Sequence, residues 1–321
     1  MKPIILDAMG GDNAPSVIVE GAREALSAGI PVELVGDPDR ILNPDGIRVH
    51  PAREVIEMGD EPGRAVRTKK DSSIVRAAEC VRDGQASAMV SAGNTGAVAA
   101  AALLRMKRLK GVRRPAIATT IPVPGRAPKI LLDSGAMADC QSDWLHQFAR
   151  MGSAFAQVRY EVSSPRIGLV SIGEEPEKGN QLVKETHHLL ADDKTINFVG
   201  NVEGRDVLGD DVDVLVADGF TGNVILKTLE GTVQFLVNQI ISALTADDAA
   251  EVGAQALNYL APIAAELSPD AVGGAMLLGV NGVTIISHGS ASPTAVLNAC
   301  KVAQDMVQRD LVGELAAAVN L

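Results

Sequence analysis

The feature that most constrains the fold of this chain is a regular alternation of short apolar runs with longer amphipathic stretches. Apolar runs of strand length that alternate with segments of helix length are typical of parallel strands joined by crossover helices. The apolar runs predict strands at 3–6, 31–36, 87–90, 116–121, 129–133, 166–172, 196–200, 213–218 and 283–287. The stretches between them predict helices near 16–27, 72–83, 95–106, 142–158, 180–191, 222–244, 248–266 and 291–309.

We find neither an internal repeat nor a linker-like segment in the chain. We therefore expect a three-layer α/β fold with a mostly parallel sheet, formed by one continuous domain over residues 1–321. A stretch at about 232–268 is rich in apolar residues at helical spacing and contains no Lys or Arg. It predicts a helical excursion from the α/β unit.

Six of the predicted strands end in turns that carry glycine beside Ser, Thr, Asn or Asp. These turns are DAMGGDNAP (7–15), SAGNTGA (91–97), DSGAMADC (133–140), SIGEEPEKGN (171–180), ADGFTGN (217–223) and SHGSAS (287–292). In an open α/β sheet, the carboxyl ends of the strands meet the amino ends of the helices at one edge, where ligands bind. Backbone N–H groups and helix dipoles at such an edge favour anions. One such turn is ordinary turn chemistry, but six together predict a phosphate or carboxylate site.

The usual sequence motifs for nucleotide, serine-hydrolase and zinc-protease sites are missing. The chain has no GxGxxG, GxxxxGK[ST], GxSxG or HExxH pattern. Its three cysteines, Cys80, Cys140 and Cys300, are far apart and have no Cys/His ligand spacing, which argues against a zinc site and against a disulfide framework. These missing patterns therefore argue against a nucleotide, serine-hydrolase, zinc-protease or structural zinc site.

The formal net charge of −11 is unevenly distributed along the chain. Residues 1–205 carry 26 basic and 26 acidic side chains, whereas residues 206–321 carry 3 and 14. Basic residues cluster at 64–76 and at 105–114, and each cluster is either a solvated face or a docking surface for an acidic partner. An acidic chain with only one Trp, two Tyr and five Phe is a poor nucleic-acid binder.

The apolar segments are too short for a secretory signal or a membrane span. The first one is interrupted at Asp7, and the longest uninterrupted run covers only 97–104. Together with the scattered cysteines, this predicts a cytoplasmic location.

The turn sequences resemble those of the PlsX family, the fatty acyl-[acyl-carrier protein]:phosphate acyltransferases. The resemblance covers nearly the whole chain and rests on DAMGGD (7–12), DEPGRAVRTKKDSS (60–73), SAGNTGA (91–97), KGVRRPA (110–116), LLDSGA (131–136), IGEEPEKGN (172–180), FVGNVEGRD (198–206), DGFTGNVILKTLEG (218–231) and GVNGVTIISHGSAS (279–292). Family members generally read LDVGAN where this chain has Ser134 and Met137, and GGAPLLG where it has GGAMLLG at 273–279.

The resemblance implies that the chain converts acyl-[acyl-carrier protein] and inorganic phosphate into acyl phosphate and free carrier protein, the entry step to bacterial phospholipid synthesis. It implies a fold similar to isopropylmalate dehydrogenase and phosphotransacetylase, a homodimer, and no metal or redox cofactor. It also implies transfer of the product to the glycerol-3-phosphate acyltransferase. The stretch at 232–268 is then either a helical pair at the dimer interface or a projecting element that touches the membrane.

The reaction needs hydrogen-bond donors for phosphate and for the oxyanion more than it needs a strong base. We assign phosphate binding to Gly93, Asn94, Thr95 and Gly96. We assign charge neutralisation to Lys178 or Lys184, while Asn223 and His288 orient the acyl carbonyl or assist the leaving sulfur. Further candidates for substrate binding are Asp7, Gly10, Gly11, Asn180, Thr221 and Asn281. Candidates for docking the carrier protein are Arg105, Arg108, Arg113 and Arg114.

Structural roles remain open alternatives for several of these residues. Each lysine is equally well a solvated residue of a first helical turn, Asp7 a helix cap, and His288 a buried structural histidine.

Three other functions also remain open. One is a phosphotransacetylase-like enzyme that uses acyl-CoA, and another is a protein that binds acyl carrier protein without catalysis. The third is a decarboxylating dehydrogenase, for which Asp210, Asp211 and Asp213 are the closest approach to a metal-binding cluster, although their spacing is typical of a solvated turn.

Overall fold

The fold is built on a single eleven-stranded sheet with helices on both faces. A computed structural model of the chain describes residues 1–246 and 250–320. The strands are β1 Ile4–Asp7, β2 Val32–Gly36, β3 Val49–Pro51, β4 Ala88–Ser91, β5 Ala116–Ile121, β6 Lys129–Leu132, β7 Arg166–Val170, β8 Asn197–Val202, β9 Val214–Val216, β10 Ala275–Leu278 and β11 Val283–Ile286. Their spatial order is β3-β2-β1-β4-β11-β10-β5-β6-β9-β7-β8.

The described helices fall where the amphipathic stretches predict them, with some additions. They are α1 Ser16–Ser27, α2 Pro62–Thr68, α3 Ser73–Arg82, α4 Thr95–Arg105, α5 Ser142–Tyr160, α6 Gln181–Asp192, α7 Gly219–Leu244, α8 Ala250–Glu266, α9 Pro269–Val272, α10 Pro293–Gln308 and α11 Leu311–Val319. A 3₁₀ turn covers Gly204–Asp206. Strands β3 and β10 and helices α2, α9 and α11 were not predicted from the sequence.

The helices make two layers around the sheet. Helices α1, α5, α6, α10 and α11 pack in one continuous apolar core on one face. On the other face, α2, α3 and α4 cover the first half of the sheet and α7 covers the second. Strands β1 and β4 are buried along their whole length, as expected for strands that are covered on both faces. The predicted three-layer α/β fold with a mostly parallel sheet is confirmed.

The strand direction reverses in the middle of the sheet, which corrects the expectation that all six glycine turns lie at one edge. Strand β10 is antiparallel to both β11 and β5, and β5 is antiparallel to β6. The strands on either side of this centre pair in parallel. The turns after β1, β4 and β11 therefore lie at one edge, and the turns after β6, β7 and β9 lie at the opposite edge.

The two groups of turns still approach each other because β6 ends beside the middle of β5. Thr119 is paired with Leu131, and the N–H group of Ser134 donates to the carbonyl of Ile117 at 3.0 Å. The turn after β6 thus opens onto the middle of the sheet.

Helices α7 and α8 are consecutive and pack against each other, and they contain most of the predicted excursion at 232–268, of which residues 247–249 lie outside the described residues. Helix α7 begins earlier than predicted, at Gly219, because Asp218 caps it by accepting from the N–H group of Thr221 at 2.9 Å. Large apolar side chains on this pair are exposed to solvent, among them Phe235 at 62% and Tyr259 at 82%. Within the described residues, no helix is both long enough and apolar enough to cross a bilayer.

Candidate functional site

The three turns of the first half of the sheet are tied to one another by hydrogen bonds. The N–H group of Ser287 donates to the carbonyl of Ser91 at 2.8 Å, and that of Asp12 donates to Gly289 at 2.7 Å. The N–H group of Gly93 donates to the Ser91 hydroxyl at 3.1 Å. The turns after β1, β4 and β11 therefore form one rigid unit.

Asp7 is the buried centre of this unit. Its carboxylate accepts hydrogen bonds from the Ser91 hydroxyl at 2.6 Å and from the Met9 N–H group at 3.1 Å. Burial raises the pKa of Asp7 above its usual value, and the hydrogen bonds oppose that shift. A Cβ atom on Gly10 would lie 2.5 Å from this carboxylate, and one on Gly11 would lie 3.1 Å from the carbonyl of Gly289. Asp7, Gly10 and Gly11, which were predicted to bind substrate, are thus packed within this unit at the contacts between its turns.

Helix α4 points its amino end into the space between the two halves. Asn94 caps the helix through its Oδ1, which accepts from Ala97 N–H at 3.0 Å, and its amide donates to the carbonyls of Met58 and Asp60 at 3.0 and 3.2 Å. The Asn94 side chain is therefore fully occupied within the protein. The first two N–H groups of α4, those of Thr95 and Gly96, have no partner within the helix and are available to an anion.

The turns after β6 and β9 form a second unit around Asp133. Its buried carboxylate accepts from the N–H groups of Ile117, Gly135, Ala136 and Met137 at 2.7–3.2 Å. Burial raises the pKa of Asp133, although these four hydrogen bonds lower it in part.

The amino end of α7 packs directly on this second unit. A Cβ atom on Gly222 would lie only 2.0 Å from the carbonyl oxygen of Asp133, so only glycine permits this approach. The neighbouring Asn223 side chain lies against the turn, since a Cβ atom on Gly135 would lie 3.6 Å from its Oδ1. The close approach therefore fixes the position of Asn223.

The two units and the α7–α8 pair enclose a cavity of about 860 Å³. Its polar lining comes from both halves and includes Gly93, Thr95, Ser134, Asn223 and His288. The aliphatic part of the lining comprises Ile117, Ile121, Pro122, Leu208, Leu226, Leu229, Val233, Val237, Leu267, Val272 and Ile286, among others. Further polar side chains, among them Gln234, Ser268 and Asp270, also belong to the lining. The cavity wall therefore combines aliphatic and polar side chains.

A charged group lies in the wall of the cavity. The carboxylate of Glu230 accepts from the ammonium of Lys227 at 2.7 Å, and its other oxygen lies 3.8 Å from Nε2 of His288. All three side chains line the cavity and remain partly exposed. This group supplies the cavity with a cation that a phosphate can approach.

Four of the predicted site residues line the cavity: Gly93, Thr95, Asn223 and His288. Gly96 packs against Pro62, to which a Cβ atom on Gly96 would lie 2.6 Å away. Asn281 lies in the turn that enters β11, at the opposite end of that strand from His288, and its N–H group donates to Lys107. The structure therefore separates Asn281 from the cavity.

Three other predicted residues lie on the turn after β7 or in the first turn of α6, and neither segment contributes to the cavity lining. Lys178 and Lys184 are exposed there, and Asn180 caps α6 by accepting from Val183 N–H at 2.9 Å. Thr221 is likewise engaged locally, since its hydroxyl donates to Asp218 at 2.8 Å. Catalytic roles for Lys178 and Lys184 remain predictions.

Lys227 lines the cavity; the sequence places it, with Lys178 and Lys184, among the donors in or just after the turns, but it was assigned no role. Glu230, Ser134 and Thr119 also line the cavity and were not candidates. Lys227 and Glu230 follow Asn223 by four and seven residues on one helix, so helical spacing would have indicated that they share its face. Ser134 stands where the family usually has valine, and its hydroxyl lies 2.6 Å from that of Thr119. No pattern in the sequence predicts that these two hydroxyls lie next to each other.

The cysteine thiols are unsuited to act as nucleophiles. Burial raises the pKa of Cys140 and Cys300 to about 12 and also raises that of Cys80. Within the described ranges, no group of His, Cys, Asp or Glu has the arrangement of a metal site. The lining of the cavity does offer hydrogen-bond donors and the ammonium group of Lys227.

The basic cluster at 105–114 lies at the far end of α4 from Thr95. Arg105 lies 3.5 Å from Glu79, Arg113 lies 3.4 Å from Asp143, and the Arg114 guanidinium stacks on Trp144. Arg108 contacts the carbonyl of Arg113 and is exposed.

The second basic cluster is closer to the cavity. Arg64 and Arg67 are exposed on α2, which follows directly on the loop at 57–60 that Asn94 holds. Met58 of that loop lines the cavity. Neither arginine forms an ion pair within the part of the chain that the structure describes.

The sequence matches the family model described as fatty acid synthesis protein over residues 3–313. It is 43% identical to a phosphate acyltransferase from Halothermothrix orenii, over 99% of this chain and 98% of that protein. It is 45% identical to a phosphate acyltransferase from Desulfitobacterium hafniense, over 97% of this chain and 96% of the relative.

The fold is similar to that of solved phosphotransacylases at low sequence identity. EutD phosphotransacetylase from Staphylococcus aureus superposes with a TM-score of 0.61 at 14% identity, covering 95% of this chain and 94% of that one. A 4-hydroxythreonine-4-phosphate dehydrogenase from Klebsiella pneumoniae superposes with a TM-score of 0.57 at 14% identity, covering 96% and 100%. The predicted likeness to phosphotransacetylase and dehydrogenase folds is confirmed.

Proposed function

The chain belongs to the PlsX family of phosphate acyltransferases and is an acyltransferase, and we propose that it transfers the acyl group of acyl-[acyl-carrier protein] to inorganic phosphate. The product is an acyl phosphate, which we propose serves phospholipid synthesis by passing to the glycerol-3-phosphate acyltransferase.

The observation that carries this proposal is the form of the cavity. The cavity offers polar groups, among them Thr95, Asn223 and the charged pair Lys227–Glu230, and it also offers many aliphatic side chains. A fatty acyl thioester needs both kinds of surface, because its carbonyl and the attacking phosphate are polar and its chain is not.

Phosphate binding is assigned to the amino end of α4 and to Lys227. The free N–H groups of Thr95 and Gly96 and the dipole of this eleven-residue helix favour an anion at that position. Lys227 offsets part of the charge that phosphate brings into the cavity. Lys178 and Lys184 remain candidates for the same role from the turn after β7.

The reaction proceeds by direct attack of a phosphate oxygen on the thioester carbonyl carbon. The C–S bond then breaks, the proton of hydrogen phosphate ends on the released sulfur, and acyl phosphate and carrier-protein thiol are formed. The Asn223 amide donates to the oxyanion, where such a donor is worth most. A thiol with a pKa near ~8.5 leaves readily, so a strong acid is unnecessary, and His288 is placed to assist.

We further propose how the enzyme is positioned in the cell. The acidic carrier protein docks on basic residues at 64–76 and 105–114, including Arg105, Arg108, Arg113 and Arg114. The enzyme acts in the cytoplasm as a homodimer without a cofactor, and the exposed apolar side chains of α7 and α8 allow a peripheral membrane contact.

The test is incubation of the enzyme with palmitoyl-carrier protein, with and without phosphate, followed by gel analysis of free carrier protein. We expect release that depends on phosphate and yields stoichiometric acyl phosphate. A parallel reaction with palmitoyl-CoA tests the alternative that the enzyme uses acyl-CoA, since preference for that substrate would contradict the proposal. Binding of the carrier protein without release would indicate a non-catalytic role.

A further inference from the structure

We propose that helix α7 measures the acyl chain, with Asn223 at the reactive end and Val237 at the far end of the measured length. This inference rests on the proposed acyl transfer and assigns a residue to its chain-length specificity.

The inference starts from the residues of α7 that line the cavity. Asn223, Leu226, Glu230, Val233 and Val237 all do so, and they follow one another at spacings of three and four residues. This spacing keeps residues on one face of a helix, so the cavity runs along the helix axis.

The character of this face changes along its length. Lys227 and Glu230 make its first part charged, whereas Val233 and Val237 make its second part apolar. The intervening Gln234 also lines the cavity, and its amide donates to Asn238 at 3.0 Å on the same helix. A thioester with its carbonyl at Asn223 would therefore extend its chain toward Val237.

The length of this face matches a long fatty acyl chain. Fourteen residues separate Asn223 from Val237, which is about 21 Å along an α-helix. An all-trans alkyl chain advances about 1.25 Å per carbon, given C–C bonds of about 1.5 Å and tetrahedral angles. The face thus accommodates about 17 carbons.

The cavity-lining part of the face ends at Val237. The next residue on the same stripe, Ile241, is 43% exposed and does not line the cavity. Each methylene that the lining removes from water strengthens binding, by about fourfold where burial is complete, and this gain stops where the lining stops. Carbons beyond Val237 then add nothing, so the length of the lined face sets the preference.

The experiment places a phenylalanine at two depths and measures kcat/KM for carrier thioesters of eight to eighteen carbons. In Val237→Phe we expect kcat/KM to fall only for the longest chains. In Val233→Phe the fall should begin about five carbons earlier, because the residue lies about 6 Å closer to Asn223. Val252→Phe is the matched control, since Val252 lies on α8, is 73% exposed and is not part of the lining.

A second measurement tests the chain-length proposal independently of acyl transfer. Calorimetric titration of the same variants with saturated fatty acids of the same lengths measures affinity for the cavity without turnover. If binding weakens at different chain lengths in the two variants, the chain-length proposal is supported. This holds even if the wild type forms no acyl phosphate from any thioester, a result that contradicts only the proposed function.

The chain-length proposal is overturned if kcat/KM falls equally at every chain length in both variants, or if its dependence on chain length is unchanged in both. Thermal melting identifies a variant that fails to fold. In that case Val237→Leu gives a smaller obstruction at the far end, and a length profile identical to wild type then overturns the proposal.

Discussion

The carboxylate of Glu230 lies 2.7 Å from the ammonium of Lys227, within the wall of a cavity that both aliphatic and polar side chains line. The same carboxylate lies 3.8 Å from His288, which comes from the other half of the sheet. A lysine held in this way is oriented toward the cavity but is not buried, so phosphate can compete with Glu230 for it.

Lys227→Met should therefore raise KM for phosphate and lower kcat/KM by about tenfold or more, since one preorganised charge is lost at the reacting group. Lys178→Met and Lys184→Met are the comparison variants, because the sequence analysis assigned charge neutralisation to those residues. Steady-state kinetics with varied phosphate decides between the positions. A larger effect at Lys178 or Lys184 would show that the turn after β7 supplies the cation.

Gly222→Ala should destabilise the protein, because its Cβ atom would lie 2.0 Å from the carbonyl oxygen of Asp133. We expect a loss of about 1–3 kcal/mol in the free energy of unfolding, as for other overpacked sites. Gly231→Ala, on the same helix, is the matched control: its Cβ atom has open space, and alanine is the better helix former. Urea unfolding measures both variants, and equal stability of the two would refute the close approach.

Asp7→Asn should change how stability depends on pH. Burial raises the pKa of Asp7 in the folded protein, so the folded state binds this proton more tightly than the unfolded state. Its contribution to the free energy of unfolding is therefore greatest below about pH 4 and declines as pH rises through the raised pKa. The difference between wild type and Asp7→Asn, measured by urea unfolding across this range, should follow that decline. Glu20→Gln on the exposed face of α1 controls for the loss of one charge, and a flat difference would contradict the assignment.

Charge reversal at the basic clusters should weaken recognition of the acidic carrier protein. We expect Arg108→Glu with Arg113→Glu to raise KM for the carrier protein several-fold and to flatten its salt dependence. Arg64→Glu with Arg67→Glu should have the larger effect, because α2 follows directly on the loop whose Met58 lines the cavity. Kinetics at low salt with the carrier thioester and with palmitoyl-CoA give the comparison. If both double variants match wild type at low salt, neither cluster docks the carrier protein.

Phe235→Glu with Tyr259→Glu should reduce any association with vesicles. Both side chains are exposed and apolar in the wild type, and the segment at 232–267 has no Lys or Arg. We therefore expect weak flotation of the wild type with phosphatidylcholine vesicles and no gain from anionic lipid. Sedimentation equilibrium of the same variant tests the alternative, in which these residues form the dimer interface. Failure of the wild type to float would remove the membrane proposal.

The sequence predicted most elements closely where an apolar run or an amphipathic stretch was long enough. Strand β5 was predicted at 116–121 and helix α1 at 16–27, and both have these bounds in the structure. Strand β10 was missed, although its residues Ala275–Leu278 are apolar, because four residues between glycines carry little periodicity. That omission hid the antiparallel centre of the sheet and led to the expectation of a single ligand-binding edge.

The sequence alone determined the layers of this protein and its family, because apolar periodicity and long matching turn motifs are local properties. Only the tertiary structure decided which polar residues face the cavity. Asn94, Asn180 and Thr221 carry the groups that a phosphate site needs, but helix caps need the same groups, and the structure engages all three in caps or local hydrogen bonds. Thr95 and Asn223 line the cavity instead, because α4 and α7 begin at turns from the two halves of the sheet, with the antiparallel strands β10 and β5 between those halves.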